Sequence, residues 1–229
     1  MATHLITGAG SGIGAAVARR LHERGDDLLL LARDAGRAKE LAAELPGART
    51  LVGDLANPDR LSWALAQQSV PDRLDSLLHI AGVVDLGPVG ELTTKAWHGQ
   101  LNVNLVAPAE LTRLVLPQLR VSNGQVIFVN SGAGLSAGPE WSAYAASKHG
   151  LKALADSLRQ EEKPNGVRVT SVYPGRTASP MQVKIHQLEG NEYDPSRWID
   201  PESVATTILA ALDLPRDAQI DDLTVRPGR

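Results

Sequence analysis

The 229-residue sequence predicts an α/β protein: a single doubly wound parallel sheet of about seven strands, with helices on both faces, in one domain spanning residues 1–229. Three observations predict it. Short apolar runs alternate with helical patterns along the whole chain, which argues for a parallel sheet covered on both sides. The length suits one α/β domain with a substantial core. Only eight residues are aromatic, so the core is expected to consist of small and aliphatic side chains, which permit close helix-on-sheet packing.

The elements follow in order. A β-compatible run at 3–7 enters a glycine turn and then a helix over 13–24, with Gly25 placed to end it. Leu28-Leu29-Leu30-Leu31 marks a second strand, 27–31, followed by a helix over 35–44 and a strand over 49–52. Asn57-Pro58 opens a helix over 58–68, with proline in its first turn. A strand over 74–80, a long helix over 93–119, a strand over 125–130 and a helix over 142–162 come next. Pro164-Asn165-Gly166 reads as a turn before a strand over 167–173. Asp200-Pro201-Glu202 opens the last helix, 201–212, and a strand over 220–225 closes the sheet. No repeat, low-complexity tract or linker interrupts the series. Crossovers are expected to be right-handed, and functional groups are expected to collect at the carboxyl ends of the strands, near the reversal of strand order.

Composition narrows the function classes. A net charge of −3 gives no broad basic field for nucleic acid or an anionic membrane surface. With no cysteine, disulfides, thiol nucleophiles and cysteine-ligated metals are excluded, and a reducing compartment is permitted. The six histidines are scattered without metal-ligand spacing, and His4, His79 and His149 read as packing or surface residues. No apolar run approaches the length of a membrane span, and the first strand begins almost at Met1, leaving no room for a leader. The expected location is cytoplasmic, with no membrane, metal or nucleic-acid partner.

Two motifs carry chemistry. The turn Gly8-Ala9-Gly10-Ser11-Gly12-Ile13-Gly14 lies between a strand and a helix, the context a dinucleotide fold requires. Its glycines let backbone approach a pyrophosphate, and the helix start supplies unpaired N–H groups and a favourable dipole. No Gly-Lys-Ser/Thr follows, so a Walker-type loop is excluded. The second motif is Tyr144-Ala145-Ala146-Ser147-Lys148, with Ser131 thirteen residues upstream of the tyrosine. Residues four apart share a helix face. A free phenol titrates near ~10 and is a poor base at neutral pH. A neighbouring ammonium favours phenolate, which makes Tyr144 a candidate general acid/base. A serine hydroxyl can hydrogen-bond the same substrate oxygen as charge develops on it. Alone, Tyr-x-x-x-Lys arises by chance; the glycine turn is what lends it weight.

Thr7-Gly8 with Gly12 and Gly14, followed by Tyr144 and Lys148, resembles the short-chain dehydrogenase/reductase family. Asp54-Leu55 matches the family's adenine-contacting acidic position. Asn104 matches its catalytic-site asparagine, 27 residues before Ser131. Pro174-Gly175-Arg176-Thr177 resembles the segment that closes over the nicotinamide. The resemblance implies a Rossmann-like sheet and hydride transfer between a nicotinamide and a carbonyl or secondary alcohol. Asn104, Ser131, Tyr144 and Lys148 would be catalytic. Gly8, Gly10, Ser11, Gly12, Ile13, Gly14, Arg33, Asp54, Leu55, Ala81, Gly82, Pro174, Gly175 and Thr177 would bind coenzyme with Tyr144 and Lys148. Lys148 would also lower the tyrosine pKa, and Asn104 would hold a water near it. Thr177 would bond the nicotinamide carboxamide or else cap the helix that follows. One departure stands out: Ile80 occupies the place of the family's usual asparagine in His79-Ile80-Ala81-Gly82.

The coenzyme reads as NADP(H) in preference to NAD(H). Ala32 ends the second strand where an NAD site carries an acid, and Arg33 follows, able to pair with a 2′-phosphate through its planar fork. Asp34 leaves NAD(H) open, although its plainer role is a helix N-cap. Residues 178–198 are expected to form a short substrate lid, and Val83, Val84, Leu135, Trp141 and Met181 the pocket walls. The expected substrate is an apolar or moderately polar ketone, aldehyde or secondary alcohol. An alternative is a catalytically silent NADP(H)-binding regulatory protein, which would usually have lost part of the catalytic set. A nucleotide-sugar epimerase is disfavoured by the want of a larger C-terminal substrate region. The resemblance implies a homodimer or homotetramer formed through the helices over 93–119 and 142–162 and the last strand, although the same apolar stripes are also needed against the sheet.

Overall fold

The structure is a computed structural model that describes residues 1–228. Seven strands form one parallel sheet in the order β3-β2-β1-β4-β5-β6-β7. They are β1 (Thr3–Thr7), β2 (Asp27–Ala32), β3 (Arg49–Val52), β4 (Ser76–His79), β5 (Gln125–Val129), β6 (Arg168–Pro174) and β7 (Asp222–Val225). The order reverses between β1 and β4, paired from His4↔Ser76 to Thr7↔His79, so a crevice opens at their carboxyl ends.

Period-two alternation divides the core between the two faces. Leu28, Leu30 and Ala32 join Val17 and Leu21 of α1 (Gly12–Glu23), Leu41 of α2 (Ala35–Glu44) and Ile208 of α8 (Pro201–Leu212). Leu29 and Leu31 point the other way. They join Leu65 of α3 (Leu61–Ala66), Leu111 and Val115 of α5 (Ala107–Ser122), and Leu151 and Ala155 of α6 (Ser142–Glu162). Each buried leucine of this run contributes roughly 1.5–3 kcal/mol of transfer free energy, so an Asp at Leu30, which is 0% exposed, would break the layer.

Local signals fix several boundaries. Asp34 accepts from the Arg37 N–H at 2.8 Å and Asp200 from the Glu202 N–H at 2.9 Å, each as the N-cap of a helix. Gly25 and Gly166 turn the chain at φ 83° and 71°, a region that favours glycine. Two expectations need correction. The helix expected over 58–68 is a 3₁₀ turn, Pro58–Arg60, followed by the short α3. The long helix over 93–119 is α4 (Thr94–Leu101), a π-helical turn (Asn102–Val106) and α5. Residues 178–198 contain a helix of their own, α7 (Pro180–Leu188), whose N-cap Ser179 accepts from the Gln182 N–H. No described helix is long and apolar enough to cross a membrane, and no described cluster of His, Asp or Glu could hold a metal ion.

Candidate active site

The glycine turn is drawn tightly onto the end of β4. Gly8 has φ 75°, and a Cβ there would stand 2.7 Å from the Ala81 amide nitrogen; one on Gly14 would stand 2.0 Å from the Gly8 carbonyl oxygen. These contacts are with backbone, so neither position tolerates a side chain. Thr7, buried at the end of β1, is the third fastening. Its hydroxyl oxygen accepts the N–H groups of Ile80 and Ala81, both at 3.1 Å, where the chain leaves the β4 ladder. Those bonds hold the strand end at the position where Ile80 stands in place of an asparagine, while the Ile80 side chain packs on the core face. Ser11 is the N-cap of α1 but makes no side-chain cap bond, so the first-turn N–H groups of α1 stay open toward the crevice. The backbone-lined glycine turn and open helix start fit the pyrophosphate of a dinucleotide.

Three further residues line the same crevice, and a fourth, Asn104, is bonded to Val83 in its wall. Tyr144 and Lys148 come from α6, Ser131 from the turn after β5, and Asn104 from the π-helical turn. All except Ser131, which is partly buried, are buried. Two of them flank Gly82, where a Cβ would lie 3.4 Å from Asn104 Oδ1 and 3.8 Å from Lys148 Nζ. Asn104 Oδ1 accepts from Val83 N–H at 2.9 Å, and its Nδ2 donates to the Val83 carbonyl at 2.9 Å and to Ser147 Oγ at 3.0 Å. That amide clamps the strand beyond Gly82. Both of its N–H donors are engaged, while its Oδ1 keeps one acceptor position open. The π-helical turn aims it inward, a distortion that often marks functional sites.

Lys148 Nζ donates to the Val129 carbonyl at 3.0 Å and sits 6.0 Å from the centroid of the Tyr144 ring. Burial lowers its pKa to about 8. Burial also raises the Tyr144 phenol above its ordinary value, and the Ser131 side chain opposes that rise. In the protein alone desolvation dominates the Tyr144 phenol, and the Lys148 ammonium is turned toward the Val129 carbonyl. Ser131 Oγ accepts from Ala133 N–H at 3.1 Å, which leaves its own proton free to donate.

The crevice has a volume of about 1390 Å³ and is lined by the whole glycine turn, Arg33, Asp54, Leu55, Ala81, Gly82, Ser131, Tyr144, Lys148, Pro174, Gly175 and Thr177. The Asp54 carboxylate accepts from Ala56 N–H and Asn57 Nδ2. Thr177 donates to the Gly175 carbonyl at 3.0 Å, and since Ser179 caps α7, the capping alternative for Thr177 falls away. Val83, Val84, Trp141 and Met181 line the same crevice, Trp141 meeting the Tyr144 ring edge-on at 5.7 Å. Leu135 does not. The 3₁₀ turn Gly132–Gly134 carries it past the crevice, and it is 46% exposed. Sequence reading missed Arg37 and Lys184, which also line the crevice; Ile185, expected in the lid segment, lines it too. Lys184 Nζ donates to the Val84 carbonyl at 2.6 Å and ties α7 to the β4 strand end. These contacts are tertiary, and no local pattern announced them.

The profile of the short chain dehydrogenase family matches residues 2–190. Dehydrogenase/reductase SDR family member 11 of Bos taurus is 34% identical over 97% of this chain and 94% of its own length. A short-chain dehydrogenase from Sphingobium yanoikuyae, solved with NADPH, superposes with TM-score 0.83 at 28% identity, covering 100% of this chain and 88% of that one. A 4-hydroxyisoleucine dehydrogenase solved with NADH superposes at 0.82 with 26% identity, covering 100% and 98%. The chain belongs to the short-chain dehydrogenase/reductase family. It is a NAD(P)-dependent oxidoreductase acting on CH–OH/C=O groups.

Proposed function

We propose that the protein is an NADP(H)-preferring reductase of small, largely apolar carbonyl compounds, with Tyr144 as general acid/base. The observation that carries the proposal is that Tyr144, Lys148 and Ser131 line one crevice able to hold a dinucleotide, with Asn104 bonded to Val83 in its wall. The bound coenzyme supplies hydride chemistry at its nicotinamide.

The chain's own residues supply the proton and the positioning. A phenol raised by burial is protonated at neutral pH, so Tyr144 is set to donate to a carbonyl oxygen. Ser131, already accepting an N–H, offers its hydroxyl proton to the same oxygen and stabilises developing negative charge. Lys148, mostly ammonium at pH 7 with a pKa of about 8, stabilises the phenolate left behind and bonds the coenzyme ribose. Asn104 acts as a positioning residue, holding the Gly82–Val83 segment beside Lys148. Gly8 to Gly14 and the α1 N-terminus take the pyrophosphate, Asp54 and Leu55 the adenine side, and Pro174, Gly175 and Thr177 the nicotinamide side.

The preference for NADP(H) rests on the end of β2. Ala32 leaves no acid there, and the Asp34 carboxylate is used as the α2 N-cap and as partner of Arg33 Nε at 3.1 Å. Arg33 projects into solvent with 80% of its side chain exposed, free to meet a 2′-phosphate. The NADPH-bound Sphingobium relative supports this reading, while the NADH-bound neighbour shows that the same fold takes either coenzyme. The substrate class rests on the apolar group beside the phenol: Val84, Ile185, Trp141, Met181 and Leu86. Residues 178–198, through α7, serve as the lid over it. Work in the cytoplasm and assembly as a dimer or tetramer belong to the same proposal. They are supported by the cysteine-free composition and by exposed apolar residues such as Val106 and Val121.

The test is oxidation of NADPH and NADH against a panel of ketones, aldehydes and quinones, with Arg33→Ala beside the native protein. Turnover favouring NADPH, with the preference reduced in the variant, is expected. Equal losses with both coenzymes would defeat the assignment of Arg33.

A further inference from the structure

Six cationic side chains line the crevice: Arg33, Arg37, Lys148, Arg176, Lys184 and Arg226. Four of them face carboxylates. Arg33 meets Asp34, Arg37 meets Glu40 and Glu44, Arg176 meets Glu189 at 2.6 Å, and Lys184 lies 3.7 Å from Asp85. Lys148 is buried and donates to the Val129 carbonyl. Arg226 stands apart. It follows β7 and is exposed, and among the described residues its side chain bonds only the Tyr173 carbonyl, through Nη1 at 3.1 Å. Its backbone is fixed on both sides. The Val225 carbonyl before it accepts the Gly175 N–H at 2.7 Å, and Pro227 after it restricts it to extended values of φ and ψ. The guanidinium lies against Gly132, where a Cβ would stand 3.5 Å from Nη1, 3.6 Å from Nη2 and 3.8 Å from Cζ, all ordinary contacts. Gly132 is the residue after Ser131, and consecutive Cα atoms are about 3.8 Å apart. An unmatched positive fork therefore lies one residue from the hydroxyl assigned to the substrate oxygen.

We infer that Arg226 is a specificity-determining residue that receives a carboxylate of the substrate, which is a short oxo acid with its carbonyl a few carbons from the acid group. The inference rests on the reductase reading above and narrows its substrate class. The phosphates of the coenzyme do not supply this anion. The pyrophosphate belongs on the turn after β1, whereas Gly132 follows β5, two strands further along the sheet and about 10 Å away at the usual spacing. A guanidinium stays charged at every working pH. The Tyr173 carbonyl engages Nη1, and the remaining N–H groups are left to meet a carboxylate as a planar fork. Tethered by that carbonyl and by its fixed backbone, the side chain needs less ordering on binding than a free one. The alkyl part of the substrate meets the apolar side chains Val84, Trp141 and Met181 beside the phenol. In the reduction the carbonyl carbon gains the hydride of the reduced coenzyme and the carbonyl oxygen gains the Tyr144 proton. The product is the hydroxy acid, with the carboxylate unchanged.

The experiment is steady-state oxidation of NADPH and NADH with 4-oxopentanoate and 5-oxohexanoate, each against its methyl ester, for the native chain, Arg226→Gln and Arg226→Lys. Coenzyme affinity is measured calorimetrically in parallel. The native protein is expected to favour at least one acid over its ester by tenfold or more in kcat/KM. Arg226→Gln is expected to lose ten- to a hundred-fold on that acid, chiefly through KM, and threefold or less on the ester. Arg226→Lys, which keeps the charge and loses the fork, is expected to fall between. Equal losses on acid and ester in Arg226→Gln would make Arg226 a fastener of the β6 end and overturn the inference. A drop in coenzyme affinity that accounts for the loss would assign Arg226 to the coenzyme and overturn it as well. Equal use of acids and esters by the native protein, or turnover of neutral ketones and aldehydes alone, would overturn this inference and leave the reductase reading standing. Turnover of neither series nor of the neutral panel, with coenzyme bound, would sink the reductase reading and this inference with it.

Discussion

Thr7→Val removes one hydroxyl and keeps the shape of the side chain, so its effect measures the fastening of β1 to the end of β4. Thr7 is 1% exposed, and its oxygen is the acceptor for two N–H groups, Ile80 and Ala81, each at 3.1 Å. An unsatisfied buried donor costs roughly 1–3 kcal/mol. Ile80 and Ala81 are partly buried and border the crevice, so water reaches them in part and the lower end of that range applies. Two donors then give a loss of about 2 kcal/mol. For a chain of this size that corresponds to a Tm lower by roughly 4–8 °C. In urea, the midpoint falls while the slope stays constant, because the surface exposed on unfolding is unchanged. Thr7→Ser keeps the acceptor and is expected to lose less than half as much. Since Ala81 also abuts Gly8, Thr7→Val is expected to weaken coenzyme binding, by calorimetry, in the same variant. A Thr7→Val protein with native stability and native affinity would refute the reasoning, and the explanation of Ile80 along with it.

Other predictions concern the same edge and the core behind it. Gly8→Ala combines φ 75° with a Cβ 2.7 Å from the Ala81 nitrogen, and is expected to cost more than about 2 kcal/mol with a loss of coenzyme affinity. Gly25→Ala has a similar φ of 83° but open space, so about 1 kcal/mol by urea melt is expected and affinity is untouched. Equal costs for the two would show that the close approach is not the governing term. His79, stacked on Phe128 at 4.9 Å and bonded to Thr112, has its pKa lowered by burial to about 3. Its folded value lies below its unfolded one, so the unfolded chain binds the extra proton and stability falls as pH drops through the unfolded pKa near 6.5. Each such proton gives a slope of about 1.4 kcal/mol per pH unit below that point. His4, also lowered by burial and opposed by Asp26, adds to the slope. Replacing His79 by Gln is expected to reduce the slope of stability between pH 6.5 and 5; an unchanged slope would show that His79 is not the group responsible.

The reading of the sequence reached the sheet because its signals are local. Leu28 to Leu31, the caps Asp34 and Asp200, and the glycine turn each declare their structure within a few residues. What it missed depends on contacts across the chain. The break of the 93–119 helix at Asn102–Val106 changes the periodicity too little to register, yet it aims Asn104 at Val83 and Ser147. Leu135 was expected on the crevice because its polarity suited a wall, but its direction is decided by a tight turn. Arg37 passed unnoticed because its partner Gly10 is 27 residues away, and a basic residue on a helix surface is ordinarily a solvated one. The residues of the proposed catalytic set stand out in the sequence by type and spacing. The direction of the Lys148 ammonium, toward the Val129 carbonyl, does not.

The most direct test of the central claim is turnover of Tyr144→Phe against coenzyme binding by the same protein. The variant keeps the ring that meets Trp141 edge-on and removes only the proton. Loss of at least a thousand-fold in kcat for the best carbonyl substrate, with NADPH affinity within a few-fold of native, is the predicted result. Native turnover with Phe at this position would contradict the assignment of Tyr144 as the acid/base.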